Sequence, residues 1–354
     1  MKKTRLTLLM AVMLMPFQSL AQSTPIESAA PGEIMERVWH LGRVTGDLER
    51  IIHFYHDLLG LGFRGERQAI IPFYSVDAIN EFVNAPVNAE FRAAFMPIPG
   101  ASNETDPMQQ IYLEAFEYRN ITRHQMIPAL SDIGVSNLTF LVHDLDELVS
   151  TLDEAGVAFI TAGKQPIPVS TPLWLNGESK AVMVRDPDGY PVILMENVSS
   201  NGTAQTSQVF GASMTVIVEN LDTAMHFYRT LIDTDLKVWE NLSWHQYQDF
   251  GLLRDMSTDT LEVRSASVLL PGSAIVLELV QLRGVTQERY QPLFQDIGFG
   301  HVAFMTSDIE EVARRMNLLD ITSLSQSGSW TQINPELRAV YTRDKDGFFL
   351  EVIE

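Results

Sequence analysis

The chain repeats itself. His53-Phe54-Tyr55 returns as His226-Phe227-Tyr228, an offset of 173 residues. Glu90-Phe91-Arg92 followed by Pro99-Gly100 returns as Glu262-Val263-Arg264 followed by Pro271-Gly272, an offset of 172. Glu114 returns as Glu278, and Asp132-Ile133-Gly134 as Asp296-Ile297-Gly298, both at 164. One deletion, opposite Asn103 to Gln110, accounts for the drop. Self-similarity on this scale means two halves with one fold. The boundaries it implies are a first domain over 35–198, a polar linker of small residues over 199–209 and a second domain over 210–354.

Each half divides again. Val38 to Val44 reads as a strand, Asp47 as a helix N-cap, and Leu48, Ile51, Ile52, Tyr55, Leu58 and Leu59 as one helical face that stops at Gly60. The same succession restarts at Gly134, near Gly211 and at Gly298. Residues 64–90 are the least readable, with a helical patch around Val76 to Val83. Four first strands then present four equivalent positions. His40, Asn137, Ser213 and His301 each stand seven residues before Asp47, Asp144, Asn220 and Asp308. Near the last strand of each unit stand Glu114, Ile193, Glu278 and Glu351. Ile193 and Glu351 each lie four residues after the Gly of an Asp-x-Asp-Gly turn. His301 in Gly-His-Val-Ala-Phe and Glu351 in Phe-Phe-Leu-Glu-Val-Ile are costly inside apolar strands unless paired or bound. A His–Glu hydrogen bond would satisfy them; so would a metal ion, which keeps a carboxylate ionised.

This pattern resembles the half-domain module of the vicinal oxygen chelate superfamily, the glyoxalase, bleomycin resistance and extradiol dioxygenase group. The resemblance implies an α+β fold: two tandem domains, four βαβββ modules, paired half-barrel sheets with helices outside. It also implies metal ligands on the first and last strands of a module. A site needs two facing modules. Pairing one with two gives His40, Glu114, Asn137 and Ile193. Pairing three with four gives Ser213, Glu278, His301 and Glu351. Pairing one with four gives the full set His40, Glu114, His301 and Glu351, and is similar to long glyoxalase I chains. Glu278 is then left over, with Arg264 on the neighbouring strand as its expected partner.

Two imidazoles and two carboxylates suit an octahedral divalent ion such as Ni, Zn, Co, Mn or Fe(II). Such an ion polarises a carbonyl or enediolate oxygen. A carboxylate able to leave it serves as base for a proton α to that carbonyl, so Glu114 and Glu351 are the catalytic candidates. The expected function is a glyoxalase I-like lyase or isomerase acting on a small molecule. An Fe(II) extradiol dioxygenase and a non-catalytic binder of the bleomycin-resistance kind are the alternatives. The dioxygenase pattern would place a His where Ser213 stands.

Composition bounds the setting. Lys2, Lys3 and Arg5, the apolar run Leu6 to Phe17, and Ser19-Leu20-Ala21 read as a signal peptide over 1–21, with a flexible leader over 22–34. The expected location is periplasmic or secreted, with no membrane attachment after cleavage. The formal charge is −20, and loss of the three positive charges in 1–21 would leave −23. That argues against nucleic acid as a partner. With both halves of the site in one chain, a monomer suffices. No Cys is present, so neither disulfides nor thiol chemistry arise. His53, His56 and His226 read as surface residues on helices; His124, His143 and His245 have no spacing that joins them to a site.

Overall fold

The computed structural model describes residues 27–64, 72–86, 88–102, 109–125, 127–197, 208–232, 236–246, 261–298, 300–325 and 327–354. The expected signal peptide and most of the expected linker lie outside the described residues. The end of the leader is docked rather than loose: Ala29 N–H donates to Ser273 O at 2.8 Å, and Gly272 N–H to Ala30 O at 3.0 Å.

The first module comprises β1 (Met35–Thr45), α1 (Leu48–Ile52, continued by a π-helical turn His53–Leu58), α2 (Asp77–Phe82), β2 (Glu90–Pro97) and β3 (Tyr112–Arg119). The second has β4 (Ser136–Val142), α3 (Leu145–Glu154), β5 (Ala158–Phe159), β6 (Ile167–Val169), β7 (Ser179–Arg185) and β8 (Pro191–Asn197). The third has β9 (Val209–Ile217), α4 (Leu221–Leu231), β10 (Val238–Gln246), β11 (Glu262–Leu269) and β12 (Val276–Arg283). The fourth has β13 (Gly300–Thr306), α5 (Ile309–Leu318), β14 (Thr331–Asn334), β15 (Leu337–Arg343) and β16 (Phe349–Ile353).

The caps that set the spacing are formed. Asp47 accepts from Glu49 N–H and Arg50 N–H, Asp144 from Glu147, Asn220 from Thr223 and Asp308 from Glu311. Each cap satisfies N–H groups that the first helical turn leaves without intrahelical partners. The helices then bury one face each, for example Ile309, Val312 and Met316 in α5.

Two sheets result. One runs β14-β15-β16-β13-β1-β3-β2 and the other β10-β11-β12-β9-β4-β8-β7-β5, with β6 on β7. The first sheet therefore joins the first and fourth modules, and the second sheet joins the second and third. The seams are the antiparallel pairs β1 with β13 and β4 with β9. Within every module the first strand runs parallel to the last. A large apolar core, including Leu41, Phe140, Met214 and Val302, lies between sheets and helices. A second cluster, including Phe82, Phe91, Phe294 and Tyr341, belongs to the first and fourth modules alone. The first module departs from βαβββ: where its second strand is expected, the described chain holds only the Tyr74 bridge to Phe91 and then α2.

Candidate metal centre

Register explains why eight sequence positions are equivalent. Opposite the residue two after each first-strand position stands the last-strand position: Gly42 faces Glu114, Thr139 faces Ile193, Thr215 faces Glu278 and Ala303 faces Glu351. Side chains two apart on a strand share a face. The antiparallel seam sets His40 against Ala303 and Gly42 against His301, so the two imidazoles come from adjacent strands onto one face.

The four side chains meet. Nε2 of His40 lies 2.8 Å from Oε2 of Glu114, 3.0 Å from Oε2 of Glu351 and 3.0 Å from Nε2 of His301. Nε2 of His301 lies 3.4 Å from Oε2 of Glu351. One donor atom from each residue falls within 4.8 Å of all the others, and all four residues are buried. Gly42 makes the space: a Cβ there would sit 1.7 Å from Cε1 of His301.

Does a divalent ion fit? Ligand atoms about 2.1 Å from an ion, at right angles, stand about 3.0 Å apart. The observed 2.8–3.4 Å contacts match that edge. Hydrogen bonding explains the cluster less well. Nε2 of His40 stands within 3.0 Å of Oε2 of Glu114, Oε2 of Glu351 and Nε2 of His301 but carries at most one N–H, so a hydrogen bond serves one of the three. The residues fit the ion.

Without an ion, burial and mutual charge divide the protons unevenly. Burial works against a charged His40, but Glu114 and Glu351 outweigh it and hold the imidazole up to about 10. Burial, reinforced by the charge on His40, drops His301 to about 4 against the pull of Glu351. Burial raises the Glu114 carboxyl more than His40 lowers it. Burial would also raise Glu351, but hydrogen bonds from His301 and His40 outweigh it and bring it to about 2.

His40, Glu114 and Glu351 open onto a cavity that Trp39, Phe95 and Tyr341 also line. The matching face of the second sheet is filled. Trp174, from the segment between β6 and β7, packs with Leu175, Met183 and Phe210, and its indole N–H donates to Oε1 of Glu278 at 2.8 Å. Thr215 donates to Oε2 at 3.0 Å. Burial raises the Glu278 carboxyl, and these two bonds lower it less. The expected Glu278–Arg264 pair is not formed. Arg264 stands opposite Gln281, and Glu278 opposite Ser267, three places along β11, so the two side chains leave opposite faces. Arg264 instead binds Gln281 at 2.7 Å and Asp222 at 2.9 Å.

The remaining histidines stay apart from the cluster. His53 bonds Asp57, His56 bonds Leu61 O, His124 bonds Asp296, His245 bonds Ser243 O, His143 stacks on Phe210, and His226 is exposed on α4. Sequence reasoning passed over Gly42, Tyr341 and Trp174. Only Gly42 carried a signal, a glycine inside a strand, which marks a close approach.

Residues 37–194 match the family model for the Glyoxalase/Bleomycin resistance protein/Dioxygenase superfamily. The match covers the first two modules, β1 through β8. The chain's fold over most of its length is that of glyoxalase I from Zea mays, at 17% identity and a TM-score of 0.52, covering 90% of this chain and 92% of that one. The V278E mutant of the maize enzyme gives 17% identity and a TM-score of 0.53, with coverage of 90% and 92%. No curated protein sequence matches the chain.

Proposed function

We propose that this chain is an exported, metal-dependent lyase or isomerase of the glyoxalase type, moving a proton on the carbon next to a carbonyl of a small molecule. The observation that carries this reading is the convergence of four buried donor atoms at the head of a cavity. His40, Glu114, His301 and Glu351 would hold a divalent ion. That ion supplies Lewis acidity toward a carbonyl oxygen. Glu351 is engaged by both imidazoles, at 3.0 and 3.4 Å, and stays in place as a fixed anion. Glu114 pairs with His40 alone, at 2.8 Å, and burial raises its affinity for a proton. Those properties suit the group that accepts a proton from carbon and returns it. The surrounding aromatic side chains keep water from competing for the proton. Export rests on the basic, apolar and small-residue succession from Lys2 to Ala21.

The test is hydrogen exchange at carbon. Zinc-loaded protein is incubated in deuterium oxide with 2-hydroxyacetophenone, and loss of the α C–H signal is followed by proton NMR. The exchange should need both the ion and Glu114, and Glu114→Gln should slow it about a hundredfold or more. Equal exchange by the unmodified protein and the variant would remove Glu114 from the chemistry. No exchange above buffer would remove proton transfer itself.

A further inference from the structure

The cavity beside the four donors carries information about what enters it. Apart from His40, Glu114 and Glu351, every residue lining it is aliphatic or aromatic. Its rings form a cage of edge-on contacts: Tyr341 with Phe82 at 5.2 Å and with Phe294 at 5.0 Å, Tyr118 with Phe294 at 5.5 Å, Phe91 with Phe116 at 5.7 Å. No Lys or Arg lines it among the described residues. Two arginines on the strands that form the wall are engaged elsewhere. Arg92 is paired with Glu117 at 2.6 Å, and Arg343 lies 4.1 Å over the Phe349 ring while donating to Pro292 O.

Outside the four proposed ligands, the wall holds one fully buried polar atom without a hydrogen-bond partner among the described residues. The Tyr341 hydroxyl is buried and makes no hydrogen bond, although its ring stands 5.2 Å from that of His301. Leaving a hydroxyl so placed without a partner is unfavourable.

We propose that the ligand of this cavity is an uncharged, mainly apolar molecule of aromatic or fused-ring size, with an oxygen that accepts from Tyr341 near the metal centre. Substrates built on an anionic carrier fit the described wall poorly. This rests on the functional reading above for the metal end alone; the cavity argument stands without it. An anionic tail would lose its water, meet no cation, and face the carboxylates of Glu114 and Glu351. An apolar ring would gain by removing its own surface, and that of the cage, from water. Burial also pushes the Tyr341 phenol well above its usual range, so it stays a neutral donor at ordinary pH.

The experiment uses the full mature chain, first in chelator and then with Zn²⁺. N-phenyl-1-naphthylamine, an uncharged dye that brightens in apolar surroundings, is titrated in by fluorescence and then displaced. One equivalent should bind in both conditions. The uncharged ketone 2-acetylnaphthalene should displace it, and S-methylglutathione should not, even at roughly a hundredfold higher concentration. Tyr341→Phe should weaken 2-acetylnaphthalene about fivefold and leave the dye unchanged. The inference is overturned if the dye does not bind, if S-methylglutathione competes as well as the ketone, or if Tyr341→Phe leaves the ketone's affinity intact. Dye binding without Zn²⁺ binding supports the cavity inference and removes the metal reading. Zn²⁺ binding without dye binding does the reverse.

Discussion

A single hydrogen atom at position 42 decides whether the two imidazoles meet. With a methyl group there, the His301 ring would have to leave. Gly42→Ala should therefore weaken Zn²⁺ about a hundredfold, as loss of a supporting or direct ligand does. It should also cost about 1–3 kcal/mol of stability through overpacking. Isothermal titration and denaturant unfolding check both, and an unchanged zinc affinity would contradict the geometry. The His40 proton gives a second prediction. With its imidazole held near 10 in the ion-free protein, one proton must leave when the ion binds at pH 7. Apparent affinity should rise about tenfold per pH unit between 7 and 9. Without the ion the sign reverses. The folded pKa lies above the unfolded 6.5, so the stability His40 contributes is present below 6.5 and lost as pH rises toward 10. Titrations in buffers of different ionisation enthalpy count the proton; none released would mean that His40 is not a ligand. The positions of His40 and His301 were legible because a helix cap seven residues on fixes strand phase. Gly42 was less so, since nothing in the sequence says what stands across the seam.

At the scale of elements, one motif is used in two ways. The Asp-x-Asp-Gly turn of the second module aims Asp186 at Arg43 of β1, which is fully buried and lies over the Tyr190 ring at 3.8 Å. The turn of the fourth module aims Asp344 at Tyr228 at 2.9 Å, and the place of Arg43 is taken by Val216 at the 173-residue offset. With no arginine paired to it among the described residues, burial and the neighbouring Asp346 push Asp344 up to about 7. Its folded pKa thus exceeds the unfolded 3.8, so this group makes the fold less stable as pH rises from 3.8 to 7. Asp344→Asn should be neutral or stabilising at pH 8, because an amide keeps the bonds from the Asp346 and Phe348 N–H groups. Asp186→Asn should cost about 3–5 kcal/mol, because it leaves the Arg43 charge buried without its partner. Urea unfolding of both variants decides the point, and equal effects would contradict it. Both turns were legible as turns. What each aspartate faces depends on strands from other modules, which local sequence does not encode. The same holds for Trp174: a loop residue without periodicity fills the second cleft, and its reach to Glu278 spans two modules.

The two sequence halves are not two structural halves. Each sheet takes one module from either half, and the seam of β1 with β13 closes the chain on itself. The two-plus-two division of the intact positions made this pairing legible, since His40, Glu114, His301 and Glu351 form a full set only across the ends of the chain. Substrate identity was not legible, because the cavity wall comes from α2, β2, β3, β14 and β15 together. An ion bound at this seam ties the first module to the last. It stabilises the fold by roughly 2.7 kcal/mol when free ion is a hundredfold above its dissociation constant. The most direct test is therefore thermal unfolding with and without chelator on the unmodified protein, His40→Ala, His301→Ala, Glu351→Gln and Ser213→Ala. Chelator should lower the midpoint of the unmodified protein and of Ser213→Ala, whose hydroxyl lies in the other cleft, and should move the other three little. If all five respond alike, or none responds, the four residues do not hold a metal ion.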